Sequence, residues 1–345
     1  MFAAACAVAH CTTRRTSGDI MPSLYRLTGV LAALSFSTIA AAQSFPNKPV
    51  TIVVPYSAGG PVDSFVRGLT PQLADAWKQP VVVLNKPGAN EIIGAEFVAK
   101  SAPDGYTLFA GTEAALTMNQ FLYKKLPYSP DKDFAEVSRL VALPLVFFVP
   151  KTSPANSLKE FIALAKKASP SKPMTYGSSG AGGIAHLPMA MFTHNENLTM
   201  VHVPYKGAAP LIPEVISGQI DAAVLGVSVI EQHVKSGALK ALAVSADTRS
   251  AALPDVPTFK ELGVKEINAV FNIGLVAPRG TPPALVEKIS VDVRRIVQLP
   301  DFRKKYIDAF SYVAVGSTPA AFRDFLAQDR KIQGERVKLS GVSLD

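Results

Sequence analysis

The sequence predicts an α/β protein of two βα domains, joined by a hinge that the chain crosses twice and enclosing a central cleft. Three observations carry this. Short β-rich runs alternate with longer helical ones from Pro49 onward; apolar runs at residues 143–150 and 270–276 set a middle βα series apart from its flanks; and 345 residues suffice for two cores of ordinary size. The expected division is residues 43–146 with 270–345 as one domain and 147–269 as the other.

Residues 1–42 are set aside as a leader. Arg14, Arg15 and Arg26 precede an uncharged run at residues 27–42 that ends Ala40-Ala41-Ala42, the pattern of a signal peptide cleaved after Ala42. Met21-Pro22-Ser23-Leu24 offers a second start. No later stretch reaches about 18 uninterrupted apolar residues, so the remainder is expected to be soluble. Removing the leader takes away three arginines and Asp19, lowering the formal charge from +8 to +6. The basic residues are scattered, which argues against nucleic acid as a partner while leaving a general attraction for anions. Both cysteines, Cys6 and Cys11, lie in the leader, so neither a disulfide framework nor thiol chemistry is expected.

Buried strands are predicted at residues 51–54, 81–84 and 106–110, with helices between them. The first helix carries Val62, Phe65, Val66, Leu69 and Leu73 on one stripe, with Trp77 as core, and Thr70-Pro71 predicts a kink or restart there. Residues 85–90 read as an exposed loop before a helix at 92–100. After residue 147 come a helix capped by Ser157, strands at 174–176, 200–203, 221–225 and 239–244, and a helix containing His186 and Leu187. Thr281-Pro282 and Thr318-Pro319 each predict a capped docking helix.

The candidate site starts where the first strand meets its helix. Tyr56, Ser57, Ala58, Gly59 and Gly60 form a glycine-rich turn through which backbone N–H groups can reach a carboxylate. Asp63 either complements the helix amino end or holds an ammonium group; Glu113, beside Thr112 in the loop after the third strand, could do the latter. In the second domain, Ser178, Ser179, Gly182 and Gly183 form a facing loop, with His186 either touching ligand or packed in the turn, and Lys206-Gly207 in the next loop. Arg67 lies one turn beyond the mouth, and no bidentate arginine clamp can be assigned.

Competing chemistries fail on spacing. Gly177-Ser178-Ser179-Gly180-Ala181 lacks the final glycine of a nucleophile elbow, and the last histidine, His233, follows no suitable acid. Gly180-Ala181-Gly182-Gly183-Ile184-Ala185 has no acid near Tyr205 for a ribose, and no phosphate-binding lysine loop exists. His194, Glu196 and His202 match no zinc template and read as solvated or loop residues. No metal, cofactor or catalysis is expected.

These loops complete a resemblance. Val54-Pro55-Tyr56-Ser57-Ala58-Gly59-Gly60 with Asp63, Pro103-Asp104-Gly105-Tyr106-Thr107-Leu108, Leu126-Pro127-Tyr128, Tyr176-Gly177-Ser178-Ser179-Gly180, His202-Val203-Pro204-Tyr205-Lys206-Gly207, Gly218-Gln219-Ile220-Asp221, Leu253-Pro254-Asp255-Val256-Pro257-Thr258 and Ala277-Pro278-Arg279-Gly280-Thr281-Pro282 run in order along nearly the whole chain. Together they resemble the Bug or TctC type of extracytoplasmic solute-binding protein, the receptor of tripartite tricarboxylate transporters. The resemblance implies a type II-like periplasmic-binding fold and a monomer that closes on a small carboxylate held by main-chain N–H groups, hydroxyls and water. It further implies membrane transporter subunits, or a sensor, as partners. An enzyme or ligand-sensing protein on the same frame is the alternative. The chain departs from the pattern at Asn90-Glu91, where the family commonly has glycine, and at Glu113, which would repel a second carboxylate if it lined the cleft.

Overall fold

The computed structural model describes residues 45–169, 171–246, 248–264 and 270–344; the expected leader at residues 1–42 lies outside the described residues. Alternation of strand and helix begins as the sequence requires: β1 (Val50–Val54), α1 (Pro61–Trp77), β2 (Val81–Asn85), α2 (Ile92–Ala99) and β3 (Thr107–Gly111). β1 lies between β2 and β3, parallel to both. Ile52, Val53 and Val54 are buried, whereas Val82 and Leu84 on the outer strand alternate outward.

α1 buries Val62, Phe65, Val66, Leu69 and Leu73 along its predicted stripe, each contributing roughly 1.5–3 kcal/mol of burial. Of the kink or restart expected at Thr70-Pro71, the restart does not occur, because one helix runs through both residues. Pro71 cannot donate to the Arg67 carbonyl four residues back, and the Thr70 hydroxyl donates to that carbonyl instead, at 3.3 Å. Gly68 sits under the Tyr306 ring, where a Cβ would lie 2.6 Å from a ring carbon.

A π-helical turn (Ala114–Met118) and the short α3 (Asn119–Leu122) lead to β4 (Phe134–Pro150), seventeen residues long. The apolar run at 143–150 is only its second half. Glu136, Ser138 and Arg139 interrupt the apolar run before it, yet the chain stays extended because β9 (Val270–Pro278) pairs with it from Phe134 to Pro144. From Leu145 onward β4 changes partners, to β7 (Ala222–Gly226) and β8 (Leu239–Val244).

Beyond β4 the second series comprises α4 (Leu158–Lys167), β5 (Met174–Ser178), α5 (Leu187–Asn195), β6 (Met200–Pro204), α6 (Ala208–Ile216) and α7 (Val227–Lys235). β5 pairs in parallel with β6 and β7. The Ser157 side chain caps α4 as predicted, accepting from Glu160 N. After β9 come α8 (Pro283–Val297), α9 (Pro300–Tyr306), β10 (Val313–Ala314) and α10 (Pro319–Ser340). Thr318 caps α10; Thr281 does not cap α8, its hydroxyl donating back to Pro278 O while Pro282 takes the cap position.

The strand order β2-β1-β3-β9-β4-β7-β5-β6 thus contains two βα halves joined through β4. Each half has its own aromatic core: Phe65, Phe302 and Tyr312 in the first, and Phe147, Phe161, Phe192 and Phe259 in the second. Among the described residues no helix is long and apolar enough to cross a membrane.

Candidate functional site

The turn after β1 is fixed from behind. Gly59 stands at φ +87, a conformation natural to glycine, and its N–H donates to Asp63 Oδ2 at 2.8 Å. The same carboxylate receives Arg67 Nε at 2.8 Å and Asn85 Nδ2 at 2.8 Å, and Asn85 Nδ2 also reaches Tyr56 O at 2.9 Å. Burial works to raise the Asp63 pKa, but hydrogen bonds from Arg67, Gly59 and Asn85 outweigh it and hold the carboxyl below its usual range. Asp63 therefore clamps the turn, and the Gly59 N–H is engaged there.

On the opposite side, β5 ends in Ser178, fully buried, whose Oγ donates to Gly180 O at 3.0 Å. Ser178 Oγ also lies 2.7 Å from His202 Nε2, a hydrogen bond whose direction follows the histidine tautomer. His186 Nδ1 accepts from Gly182 N at 3.0 Å, and its ring stacks on His202 with centroids 3.6 Å apart and planes within 7°. Tyr176 lies beside the pair, its ring centroid 5.0 Å from His202 and 6.2 Å from His186. Burial, then the neighbouring His202, lowers His186 to about 4; burial lowers His202 as well. The strand loops are tied together by Tyr205 N to Ser178 O (2.9 Å) and Gly207 N to Ser179 O (3.2 Å).

Between these two structures lies a cavity of about 510 Å³. Its wall includes the residue preceding each of three helices: Gly60 before α1, Gly207 before α6 and Gly226 before α7. None of the three helices has a side-chain cap, so their amino ends present backbone N–H groups and the positive ends of their dipoles. Ser179 adds a hydroxyl; Val62, Leu143, Leu145, Ile184, Leu225 and Phe271 supply hydrocarbon. Among the described residues no charged side chain lines this cavity. Tyr312 also lines it, with its hydroxyl buried and without a hydrogen-bond partner.

Of the residues singled out in the sequence, Tyr56, Gly60, Ser179 and Gly207 meet at this wall. Ser57, Ala58 and Gly59 are exposed on the turn, Lys206 is exposed beside it, and Ser178, Gly182, Gly183 and His186 brace the facing loop from beneath without lining the cavity. Asp63 is a structural clamp. Thr112 and Glu113 also stand behind the wall: Glu113 is 5% exposed, and its Oε2 accepts from Asn272 N at 2.9 Å. Burial, despite bonds from Asn272 N and its own N–H, and aided by the charges of Glu91 and Asp329, raises the Glu113 carboxyl to about 8. His202, read as solvated, is instead half-buried on β6 because it completes the imidazole stack. His194 is exposed, and no metal-binding group of side chains occurs among the described residues.

Gly226 and Tyr312 were not singled out. Gly226 is hidden in an uninterrupted apolar stretch, although its place at a strand-to-helix junction is the same signal that marked Gly60 and Gly207. Tyr312 offers no sequence signal, since it reaches the cavity only through the return of the chain after β9.

Two βα halves around one cavity floored by helix amino ends define a two-lobed solute-binding fold. The sequence matches the profile of the tripartite tricarboxylate transporter family receptor over residues 65–335, and the chain belongs to that family. It is 31% identical to BugT of Bordetella pertussis over 94% of this chain and 99% of that protein. Among solved structures it resembles R. palustris Rpa4515 with adipate (26% identity, TM-score 0.72, covering 87% of this chain and 99% of that one). It also resembles MatC from Rhodopseudomonas palustris with bound malate (28% identity, TM-score 0.69, 85% and 100%). The family is one of receptors; the protein is a solute receptor and not an enzyme.

Proposed function

We propose that this protein captures a small carboxylate outside the cytoplasm, as a periplasmic monomer released from its signal peptide, and delivers it to membrane subunits of a tripartite tricarboxylate-type transporter. The observation that carries the ligand class is the convergence of three uncapped helix amino ends, at Gly60, Gly207 and Gly226, on a cavity without charged side chains. Such a site attracts an anion through fixed dipoles and N–H donors, and the Ser179 hydroxyl and bridging water complete its coordination. Rpa4515 with adipate and MatC with malate, both similar to this chain, support the reading. In this reading residues 43–146 with 270–345 form one closing lobe and residues 147–269 the other, hinged where β4 changes partners and where β9 returns.

A thermal-shift screen of mono- and dicarboxylates, aromatic acids and amino acids tests this. A ligand at a hundredfold excess over its Kd adds about 2.7 kcal/mol of stability. The expected outcome is a clear upward shift with at least one carboxylate; no shift across a broad panel would remove the proposal.

A further inference from the structure

The cavity is chemically one-sided. Its donors gather at Ser179 and at the helix amino ends that follow Gly60, Gly207 and Gly226; apart from the Tyr312 hydroxyl, the rest of the wall is mainly hydrocarbon. A further set of donors exists behind Tyr56, and it is already occupied. The Tyr56 hydroxyl and the Thr112 hydroxyl both donate to Glu91 Oε1, and Thr112 N donates to Glu91 Oε2 at 3.0 Å. Glu91 is 2% exposed, so its carboxylate lies within the protein, one side chain removed from the cavity that Tyr56 lines.

The backbone carrying Glu91 is unusual. Ala89, Asn90 and Glu91 follow one another at φ +46, +50 and +72, a left-handed run that glycine enters freely and that costs other residues about 1 kcal/mol or more each. The three hydrogen bonds to the Glu91 carboxylate pin the end of that run. A carboxylate buried against two hydroxyls and a backbone N–H is a filled anion site, and here the occupant is the chain's own side chain.

We infer that Glu91 sets specificity by filling with an internal carboxylate the donors behind Tyr56, which restricts the cavity to ligands with one anionic head and an apolar body. Beyond the donors that hold the first head, the wall offers a second carboxylate, among the described residues, little more than the Tyr312 hydroxyl, too few partners to replace the water that an ionised group gives up. Discrimination of this type, where a polar group has no partner in the site, exceeds what an extra methylene can produce. Glu91 acts through Tyr56 and Thr112, and is a positioning residue. The inference rests on the carboxylate reading above.

Hexanoate and adipate have the same chain length and differ by one carboxylate, so calorimetric titration of the full-length protein with each isolates the effect. The wild type is expected to bind hexanoate at least about tenfold more tightly than adipate. Glu91→Gly suits φ +72 and vacates the donors; it should move that ratio at least about tenfold toward adipate while hexanoate affinity stays within about threefold. Glu91→Gln keeps an acceptor on the same donors and should retain the hexanoate preference, which separates occupancy from mere disturbance of the loop. Adipate binding as tightly as hexanoate in the wild type, or an unchanged ratio in Glu91→Gly, overturns the inference. If Glu91→Gly lacks a cooperative unfolding transition, Glu91→Gln decides, and its conversion to adipate preference is the contrary result. Binding of neither acid, when the screen has found another carboxylate, overturns this inference alone; binding of hexanol with no carboxylate bound removes the carboxylate reading as well.

Discussion

The two walls of the cavity are held up by buried ionisable groups of opposite habit. Behind the Tyr56 turn stand carboxyls, Glu91 and Glu113, which burial drives toward the protonated form. Behind the Ser179 loop stand stacked imidazoles, His186 and His202, which burial drives toward the neutral, deprotonated form. Glu113 and His186 are therefore most stable uncharged, yet they reach that state from opposite ends of the pH scale. A wall whose described lining carries no charged side chain thus rests on buried ionisable groups, each with its own pH range.

The largest expected effect lies in the carboxyl cluster. Glu113 titrates near 4.5 when unfolded and about 8 when folded, so the native state binds the extra proton between those values. Its stabilisation is complete below about pH 4.5 and is lost as pH rises through 8, on the order of 5 kcal/mol. Glu113→Gln retains an acceptor for Asn272 N and should flatten the alkaline side of the unfolding midpoint against pH, measured by circular dichroism. An equally steep decline in the variant would break this half of the comparison.

The histidine cluster should give a somewhat smaller effect of opposite sign. With the folded His186 at about 4 and its unfolded value near 6.5, the unfolded chain takes up the proton first as pH falls. Stability is complete above about pH 6.5 and declines toward pH 4, by roughly 3 kcal/mol. The structural cause is specific: protonated Nδ1 cannot accept from Gly182 N, and an imidazolium would face the His202 ring at 3.6 Å. His186→Gln should show a shallower acid slope, with Tyr176 and Ser178 unchanged; a slope as steep as wild type would place the acid sensitivity elsewhere.

Much of the fold was legible because its periodicity is strong. The stripe of α1, the cap at Ser157 and the strand positions in both halves follow from local sequence. The length of β4 was not legible, because Glu136, Ser138 and Arg139 look like the end of a strand until β9 is seen beside them. In the site, the glycine junctions at Gly60 and Gly207 and the hydroxyl of Ser179 could be picked out because a strand running into a glycine-preceded helix is a local pattern. The supports were not, since they depend on partners far away in the chain: Glu91 with Tyr56 and Thr112, His186 with His202, and Glu113 with Asn272. Burial turned residues that read as loop or solvated groups into the framework of the wall.

The central claim, that a carboxylate is held at the helix amino ends, is tested most directly at Gly60. Its backbone, at φ −76 and ψ 170, suits any residue before proline, and an added Cβ would meet only Ser57 O at 3.6 Å, so the turn itself does not require glycine. Calorimetric titration of Gly60→Val with the tightest carboxylate of the screen should show affinity lowered at least about tenfold, or 1.4 kcal/mol, with the unfolding midpoint within about 2 °C of wild type. Unchanged affinity in that folded variant would contradict the account.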